Sequence, residues 1–300
     1  MAHQQDVTPH RHHHPHHGDD HTPMDWVEMA PLLERNAEIS APMYTRAAAW
    51  LAETRPAPRR IVDAGSGPGV VACLLAEVFP GADVVAVDAE EALLERARAR
   101  AERTGLGDRV RTLRAELPSG LDTLDPADLL WVGKSLHHVG DQRAGLTALA
   151  GLLAPGGLLA LLEGGLPPRC LPRDIGIGRP GLQSRLDAAE DEAFTEMRAA
   201  LPGAKSETED WPALLTAAGL RPSGTRTFLT DLPAPLSGQA RDHVVATYER
   251  RRDAFADRLA DDDRATLDRL LDPADPASLH RRPDVFLLGA QTFHTAVKDG

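Results

Sequence analysis

Short apolar runs alternate with longer amphipathic segments over residues 60–163, a pattern that predicts strands separated by helices. The apolar runs "RIVDAG", "ADVVAVD", "DRVRTLRAE", "ADLLWVG" and "LLALLEG" have the length of buried strands. The segments between them include "VVACLLAEVF", which ends at Pro80-Gly81, and "EEALLERARARAERTG", which ends at Gly105. Strands that alternate with helices in this way predict a doubly wound α/β sheet whose core strands are parallel.

The flanking segments follow other patterns. Residues 24–39 and 40–55 predict two helices, and Pro56 and Pro58 follow them. After residue 163 the periodicity changes, and the chain ends in a charged helical block and a last strand, "DVFLLGAQTFHTAV". We therefore expect one domain, divided into an N-terminal helical lid (24–58), a core (59–163) and two helical insertions (164–209 and 236–283), all within residues 24–300.

Residues 1–23 hold eight of the thirteen histidines, mostly in "HRHHHPHHGDDH". Neutral imidazoles in such a tract could bind a divalent metal adventitiously. Nothing in the segment could form an apolar core, so the composition predicts a disordered, solvated tail. No metal site is predicted elsewhere.

Charge and composition exclude several classes of partner. The net charge is −12, which repels phosphate backbones and disfavours nucleic acid. Two cysteines are too few for a disulfide framework, and no signal peptide is recognisable, so we expect a cytoplasmic protein. The uncharged stretch 144–162 is interrupted by Pro155-Gly156-Gly157 and predicts a helix followed by a strand rather than a membrane span. The excess of arginine over lysine suggests a bacterial, GC-rich coding bias.

The most informative motif is "VDAGSGPG", residues 62–69, directly after the first strand. A dinucleotide fingerprint reads G-x-G-x-x-G, whereas here the spacing is G-x-G-x-G and Val70 occupies the place of the third glycine. Asp63 stands two residues before Gly65, where a carboxylate would repel a pyrophosphate and attract an amine. An NAD-dependent oxidoreductase remains an alternative that this spacing disfavours.

This motif resembles the first motif of class I S-adenosylmethionine-dependent methyltransferases. Further along, Asp88 ends the second strand, Glu116 follows the third, "WVGKSLHHVGD" follows the fourth and "LLAPGGLLAL" leads into the fifth. The resemblance implies a Rossmann-like sheet of about seven strands with an antiparallel last strand. It implies that Asp63 faces the methionine amino group, Asp88 binds both ribose hydroxyls and Glu116 meets the adenine. The expected cofactor contacts are Asp63, Gly65, Ser66, Gly67, Gly69, Asp88, Ala89, Glu116, Lys134 and Tyr44.

The resemblance also implies methyl transfer from S-adenosylmethionine, with S-adenosylhomocysteine as product, to an oxygen or nitrogen atom of a small-molecule acceptor. His138 and His137 are the candidate general bases, with His138 slightly favoured. Arg173, Arg179 and Arg185 could clamp an anionic group of the acceptor. A homodimer is possible, and a methyltransferase-like binding protein without catalysis is the alternative function.

Overall fold

The computed structural model describes residues 26–55, 57–121 and 123–300, so the histidine-rich segment 1–23 lies outside the described residues. Seven strands in this part form one sheet: β1 (Arg60–Ala64), β2 (Asp83–Asp88), β3 (Val110–Arg114), β4 (Ala127–Gly133), β5 (Leu153–Arg169), β6 (Arg221–Leu232) and β7 (Leu287–Val297). Their order across the sheet is β3-β2-β1-β4-β5-β7-β6. Strands β1 to β5 pair in parallel, and β7 is antiparallel to both β5 and β6, which confirms the predicted fold class.

Helices cover both faces of the sheet. They are α1 (Trp26–Thr54), α2 (Val70–Val78), α3 (Glu91–Arg103), α4 (Gln142–Leu152), α5 (Leu182–Ala200), α6 (Trp211–Ala217), α7 (Gly238–Phe255) and α8 (Asp261–Leu271). Alternate residues of one strand face opposite sides: Ile61 packs into the apolar cluster with α1 and α2, and Val62 into the cluster with α4 and α6. Both faces are therefore apolar, as the continuous hydrophobic runs predict.

Helix α1 differs from the sequence-based expectation, because residues 26–54 form one helix rather than two. Pro31 and Pro42 lie inside it, and each lacks the N–H that would bond to the preceding turn. Met43, Ala47 and Leu51 are buried against the sheet and α2, and this packing offsets the missing backbone hydrogen bonds.

The strand β5 is also longer than predicted. The strand begins at Leu153, which pairs with Ala127 of β4 ahead of a register shift. It continues along β7 as far as Arg169. Pairing with neighbouring strands therefore decides both ends of β5. Beyond it, the two predicted insertions share a third apolar cluster, in which Leu186 of α5 packs with Tyr248 of α7 and Leu267 of α8.

The sheet order reverses at β1, which lies between β2 and β4. In doubly wound sheets, ligands bind outside the carboxyl ends of the strands at such a switch point. The glycine motif follows β1 directly, so the topology places it at this position. Among the described residues, no helix is long and apolar enough to cross a membrane.

Candidate active site

The three glycines of the loop between β1 and α2 all have positive φ, near +76°, +54° and +76° for Gly65, Gly67 and Gly69. L-residues with a side chain rarely adopt such angles. A Cβ at Gly65 would lie 2.4 Å from the Ser135 Cβ, and one at Gly69 would lie 2.5 Å from the Ala97 Cβ. A Cβ at Gly67 would meet no atom within 4 Å. Gly65 and Gly69 thus allow close packing, whereas Gly67 borders open space at the switch point.

Neighbouring strands hold this loop in place. The backbone N–H groups of Gly65 and Ser66 both donate to the Val87 carbonyl of β2, at 2.8 and 2.9 Å. From the other side, the Ser135 hydroxyl donates to the Ala64 carbonyl at 3.1 Å. The loop is therefore fixed before any ligand binds.

Asp88 lies at the end of β2, beside the loop. One carboxylate oxygen accepts the Gly67 N–H at 2.8 Å, and the other accepts the Glu90 N–H at 3.0 Å. Burial raises the pKa of Asp88, and these backbone donors oppose the rise. A carboxylate can accept about four hydrogen bonds, so Asp88 keeps acceptor capacity for two hydroxyl groups of a diol.

Asp63 lies deeper, with only 2% of its surface exposed. Its Oδ2 atom has no hydrogen-bond partner among the described residues, and the hydroxyl of Ser66 is also buried without one. Burial raises the pKa of Asp63 to about 8, the charge of Asp88 adds to this rise, and the Ala72 N–H opposes it. An unpartnered buried carboxyl suits a ligand amine, because a cation would supply the missing hydrogen bond and charge.

Glu116 and Ala89 lie near Asp88. The N–H of Ala115, at the end of β3, donates to the Asp88 carbonyl at 3.0 Å, which brings Glu116 close to the end of β2. The Glu116 side chain is exposed. The Ala89 carbonyl accepts a hydrogen bond from Arg114. The ends of three adjacent strands thus carry the predicted cofactor residues: the glycine loop follows β1, Asp88 and Ala89 lie at the end of β2, and Glu116 lies just after β3.

Lys134 and Tyr44 lie toward the other half of the sheet. Lys134 has a positive φ of 55°, and its N–H donates to the Leu162 carbonyl at 3.1 Å. Desolvation lowers the pKa of Lys134, and the nearby charge of Glu163 opposes this.

Tyr44 is buried, with its ring edge-on to the ring of Trp131 at a centroid distance of 6.1 Å. Burial raises the pKa of Tyr44 to about 12, the charge of Asp63 adds to this, and a hydrogen bond with Gln291 opposes it.

The two candidate bases occupy a 3-10 turn, Leu136–His138, after β4. Their rings lie 4.3 Å apart, and the His137 Nδ1 atom lies 3.4 Å from Oε2 of Glu163. Burial lowers the pKa of His138, and the neighbouring His137 lowers it further, so the imidazole is neutral at pH 7. Arg198 of α5 donates to the carbonyls of His137 and Val139, both at 2.7 Å, so the first insertion holds this turn.

Glu163 was not predicted from the sequence. It is buried, and its second carboxylate oxygen has no partner among the described residues. One signal in the sequence could have revealed it: Glu163 is the acid that directly follows the apolar run of β5. The strands β4 and β5 are parallel neighbours, and Trp131 of β4 pairs with Ala160 of β5. Their carboxyl ends therefore bring Glu163 beside Lys134 and His137.

A cavity of about 460 Å³ opens beside the ends of β4 and β5. Its walls come from α1, α7, β5 and β7, and include Lys134, Gly164, His243, Tyr248 and Gln291. Five buried polar atoms on these walls lack a hydrogen-bond partner among the described residues: Thr230 Oγ1, His243 Nδ1, Tyr248 OH, Arg251 Nε and Gln291 Oε1. Unpartnered buried polar atoms in a cavity indicate a site for water or ligand.

Two of the predicted acceptor clamps are wrong. Arg185 binds the buried Asp263 through Nε and Nη2, at 2.7 and 2.6 Å, and Arg179 binds the same carboxylate at 2.9 Å. These ion pairs join α8 to the first insertion. Neither arginine lines the cavity, and Arg173 does not line it either.

Comparisons with known proteins agree with this geometry. A family model described as a methyltransferase domain matches residues 61–157. A trans-aconitate 2-methyltransferase of Methylobacterium radiotolerans is 32% identical over 234 residues, which cover 70% of this chain and 84% of that one. A tRNA 5-carboxymethoxyuridine methyltransferase of Escherichia coli is 35% identical over 115 residues, covering 37% and 42% of the two chains. Two further relatives match over a part only: the chain spans 24% of an uncharacterised Synechococcus protein and 65% of a demethylmenaquinone methyltransferase of Thermus thermophilus.

Among solved structures, a Bacillus halodurans protein classed as a methyltransferase aligns with a TM-score of 0.51 at 17% identity, over 85% of this chain and 99% of that one. This likeness supports the fold. Together with the sheet order, the glycine loop and the relatives, it shows that the chain belongs to the class I S-adenosylmethionine-dependent methyltransferases.

Proposed function

We propose that this enzyme transfers a methyl group from S-adenosylmethionine to an oxygen or nitrogen atom of a small molecule held in the cavity beside β4 and β5. The observation that carries this proposal is the position of the cavity. The glycine loop, Asp88 and Glu116 follow the ends of β1, β2 and β3, and the cavity begins at Lys134, directly after β4, and at Gly164, in the second half of β5. Cofactor and acceptor would then meet at the switch point.

The residues present fit the cofactor. Gly67 borders open space, Asp88 has acceptor capacity for the ribose hydroxyls, and Asp63 has an unpartnered oxygen for the amino group. Glu116 would meet the adenine amino group, while Ser66 and Ala89 would border the cofactor. When bound, S-adenosylmethionine supplies a sulfonium whose methyl carbon is the electrophile. The protein then has to align the acceptor with that carbon and exclude water.

His138 is neutral at pH 7, so we assign it the role of accepting a proton from the acceptor atom. His137 is the second candidate, since its ring lies 4.3 Å from that of His138 and its Nδ1 atom lies 3.4 Å from Glu163. Phe194 of α5 packs on His137 with ring centroids 5.7 Å apart, so the insertion shields this side of the site from water.

A small acceptor is favoured by three facts. The cavity volume of about 460 Å³ suits a metabolite. The net charge of −12 disfavours a tRNA. The trans-aconitate methyltransferase matches over 84% of its length, whereas the tRNA methyltransferase matches over 42%.

The test is incubation of the full chain with S-adenosylmethionine labelled in the methyl group, against small carboxylic acids, phenols, amines and bulk tRNA. We expect label in one class of small molecule. Label in tRNA alone would overturn the assignment of the acceptor. Binding of the cofactor without transfer to any small acceptor would instead support a cofactor-binding protein without catalysis.

A further inference from the structure

Three cations converge on one buried histidine at the wall of the cavity. His243 of α7 is 8% exposed and lines the cavity together with Lys134 and Arg250. The pKa of His243 is lowered to about 4, mainly by burial and in addition by the positive charges of Arg35, Arg250 and Lys134. The three cations belong to α1, to α7 and to the segment after β4, so the tertiary fold gathers them.

The carboxylates near the cavity are committed to other partners. Asp187 and Glu190 line it, and both bind Arg251, at 2.5 and 3.1 Å. Asp187 also binds Arg169. Glu163 lies close enough to act on Lys134, but its nearest partner is the ring of His137.

Among the described residues, none of the carboxylates forms an ion pair with Arg35, Lys134 or Arg250. Like charges that converge without a counter-ion repel one another and disfavour the free protein. A bound anion would relieve this repulsion. It would also supply an acceptor for the buried hydroxyl of Tyr248, which has no partner there.

We propose that the cavity binds the acceptor through an anionic group, a carboxylate or a phosphate, placed among Lys134, Arg250 and His243, with Arg35 adding to the attraction. This inference rests on the proposed function, because it names the chemistry of the acceptor for the same site. None of these residues except Lys134 lies in the segment 61–157 matched by the family model, so the anion site belongs to the parts that vary around the core.

The experiment is calorimetric titration of the full chain saturated with S-adenosylhomocysteine. The probes are succinate, inorganic phosphate and succinamide, the neutral counterpart of succinate. Arg250→Gln tests the site, and Arg252→Gln is the matched control, because Arg252 lies on the same helix and pairs with Asp253. Arg250 is exposed and without a partner in the described part of the chain, so its substitution should leave the fold intact.

We expect succinate or phosphate to bind and succinamide not to. Arg250→Gln should weaken the anion about tenfold to a hundredfold, since one charged hydrogen bond contributes about 1.5–3 kcal/mol. Arg252→Gln should stay within about twofold of the wild type. If succinate binds more tightly than phosphate, the acceptor carries a carboxylate. If phosphate binds more tightly than succinate, the acceptor is phosphorylated.

A second readout is the His243 ring resonance in NMR, assigned with His243→Gln. Its pKa should rise when the anion binds, because the anion offsets the three cations. If neither succinate nor phosphate binds more tightly than succinamide, or if the His243 pKa is unchanged at a saturating concentration of the anion that binds, the inference is overturned. Failure of S-adenosylhomocysteine to bind in the first step would instead count against the proposed function.

Discussion

The carboxylate of Asp88 accepts the backbone N–H of Gly67 at 2.8 Å, so the end of β2 holds the middle of the glycine loop. The same carboxylate also accepts the Glu90 N–H. Asp88 therefore has two tasks in the proposed site: it shapes the loop, and its remaining lone pairs face the ribose.

Asp88→Ala should weaken S-adenosylhomocysteine binding by about tenfold to several-hundredfold, because it removes hydrogen bonds to a charged acceptor worth about 1.5–3 kcal/mol each. Calorimetric titration measures the change. The control is Asp83→Ala, at the exposed beginning of the same strand. NAD should bind to neither protein, since Val70 stands in the place of the third glycine of a dinucleotide fingerprint. Equal affinity of wild type and Asp88→Ala for the cofactor product would refute the assignment of Asp88.

Two glycines of the loop should respond differently to alanine. Gly69→Ala places a Cβ 2.5 Å from the Cβ of Ala97 in a left-handed conformation, so it should cost about 2–4 kcal/mol of stability. Gly67→Ala has the conformational cost only, about 1–2 kcal/mol, but its Cβ projects into the space proposed for the cofactor.

Urea unfolding and S-adenosylhomocysteine titration separate the two effects. Gly69→Ala should lower the free energy of unfolding more than Gly67→Ala does. Gly67→Ala should weaken the binding of S-adenosylhomocysteine more than Gly69→Ala does, although it destabilises the protein less. If Gly67→Ala binds the product as tightly as the wild type does, the cofactor does not approach this part of the loop.

The sequence predicted the sheet because its signals are local, and the signals for the proposed cofactor half of the site are local as well. Asp63, the three glycines and Asp88 lie within 26 residues, on two adjacent strands and one loop. The break expected between Ile39 and Ser40 was wrong, because burial of α1 against the sheet outweighs the cost of two prolines. That outcome depends on tertiary packing, which a single-sequence pattern does not contain.

The acceptor half was harder to predict for the same reason. Arg179 and Arg185 looked like clamps, yet Asp263 lies 78 residues after Arg185 and binds both. His243 and Arg250 sit in a charged helical segment that predicts only a solvated face. Their convergence with Lys134 follows from how α7 packs beside α1, so no spacing in the sequence reveals it.

Replacement of the paired histidines tests the proton acceptor. His138→Gln should lower kcat by about a hundredfold or more if it is the base, with little change in S-adenosylhomocysteine affinity, and the loss should ease at high pH. Glu163→Gln removes the carboxylate 3.4 Å from the His137 Nδ1 atom, so it tests whether this contact positions the histidine pair. His280→Gln, at an exposed position, is the control. Unchanged turnover in both His137→Gln and His138→Gln would mean that the acceptor atom arrives already ionised.

Asp63 should make the stability of the free enzyme fall as pH rises. Its pKa is raised from 3.8 to about 8, so between these values the folded state keeps a proton that the unfolded state has lost. The free energy of unfolding decreases with rising pH wherever the folded state binds more protons than the unfolded state does. His243 acts in the opposite direction, mostly below its unfolded value of 6.5, because its imidazole loses the proton in both states as the pH rises above that value.

Between pH 6.5 and about 8, the difference between the wild type and Asp63→Asn isolates Asp63, because the histidines titrate alike in both proteins. Over this window the wild type should lose about 2 kcal/mol of unfolding free energy relative to Asp63→Asn, since one proton corresponds to about 1.4 kcal/mol per pH unit. Urea unfolding at the two pH values gives the difference, and Asp83→Asn should behave as the wild type does.

Saturation with S-adenosylmethionine should abolish this dependence of stability on pH, because the ligand amine favours the ionised carboxyl of Asp63. Binding at pH 7 should then release a proton, seen as a dependence of the calorimetric heat on the ionisation enthalpy of the buffer. A wild type that parallels Asp63→Asn across the window would show that Asp63 is already ionised, and the amine would then bind without proton release.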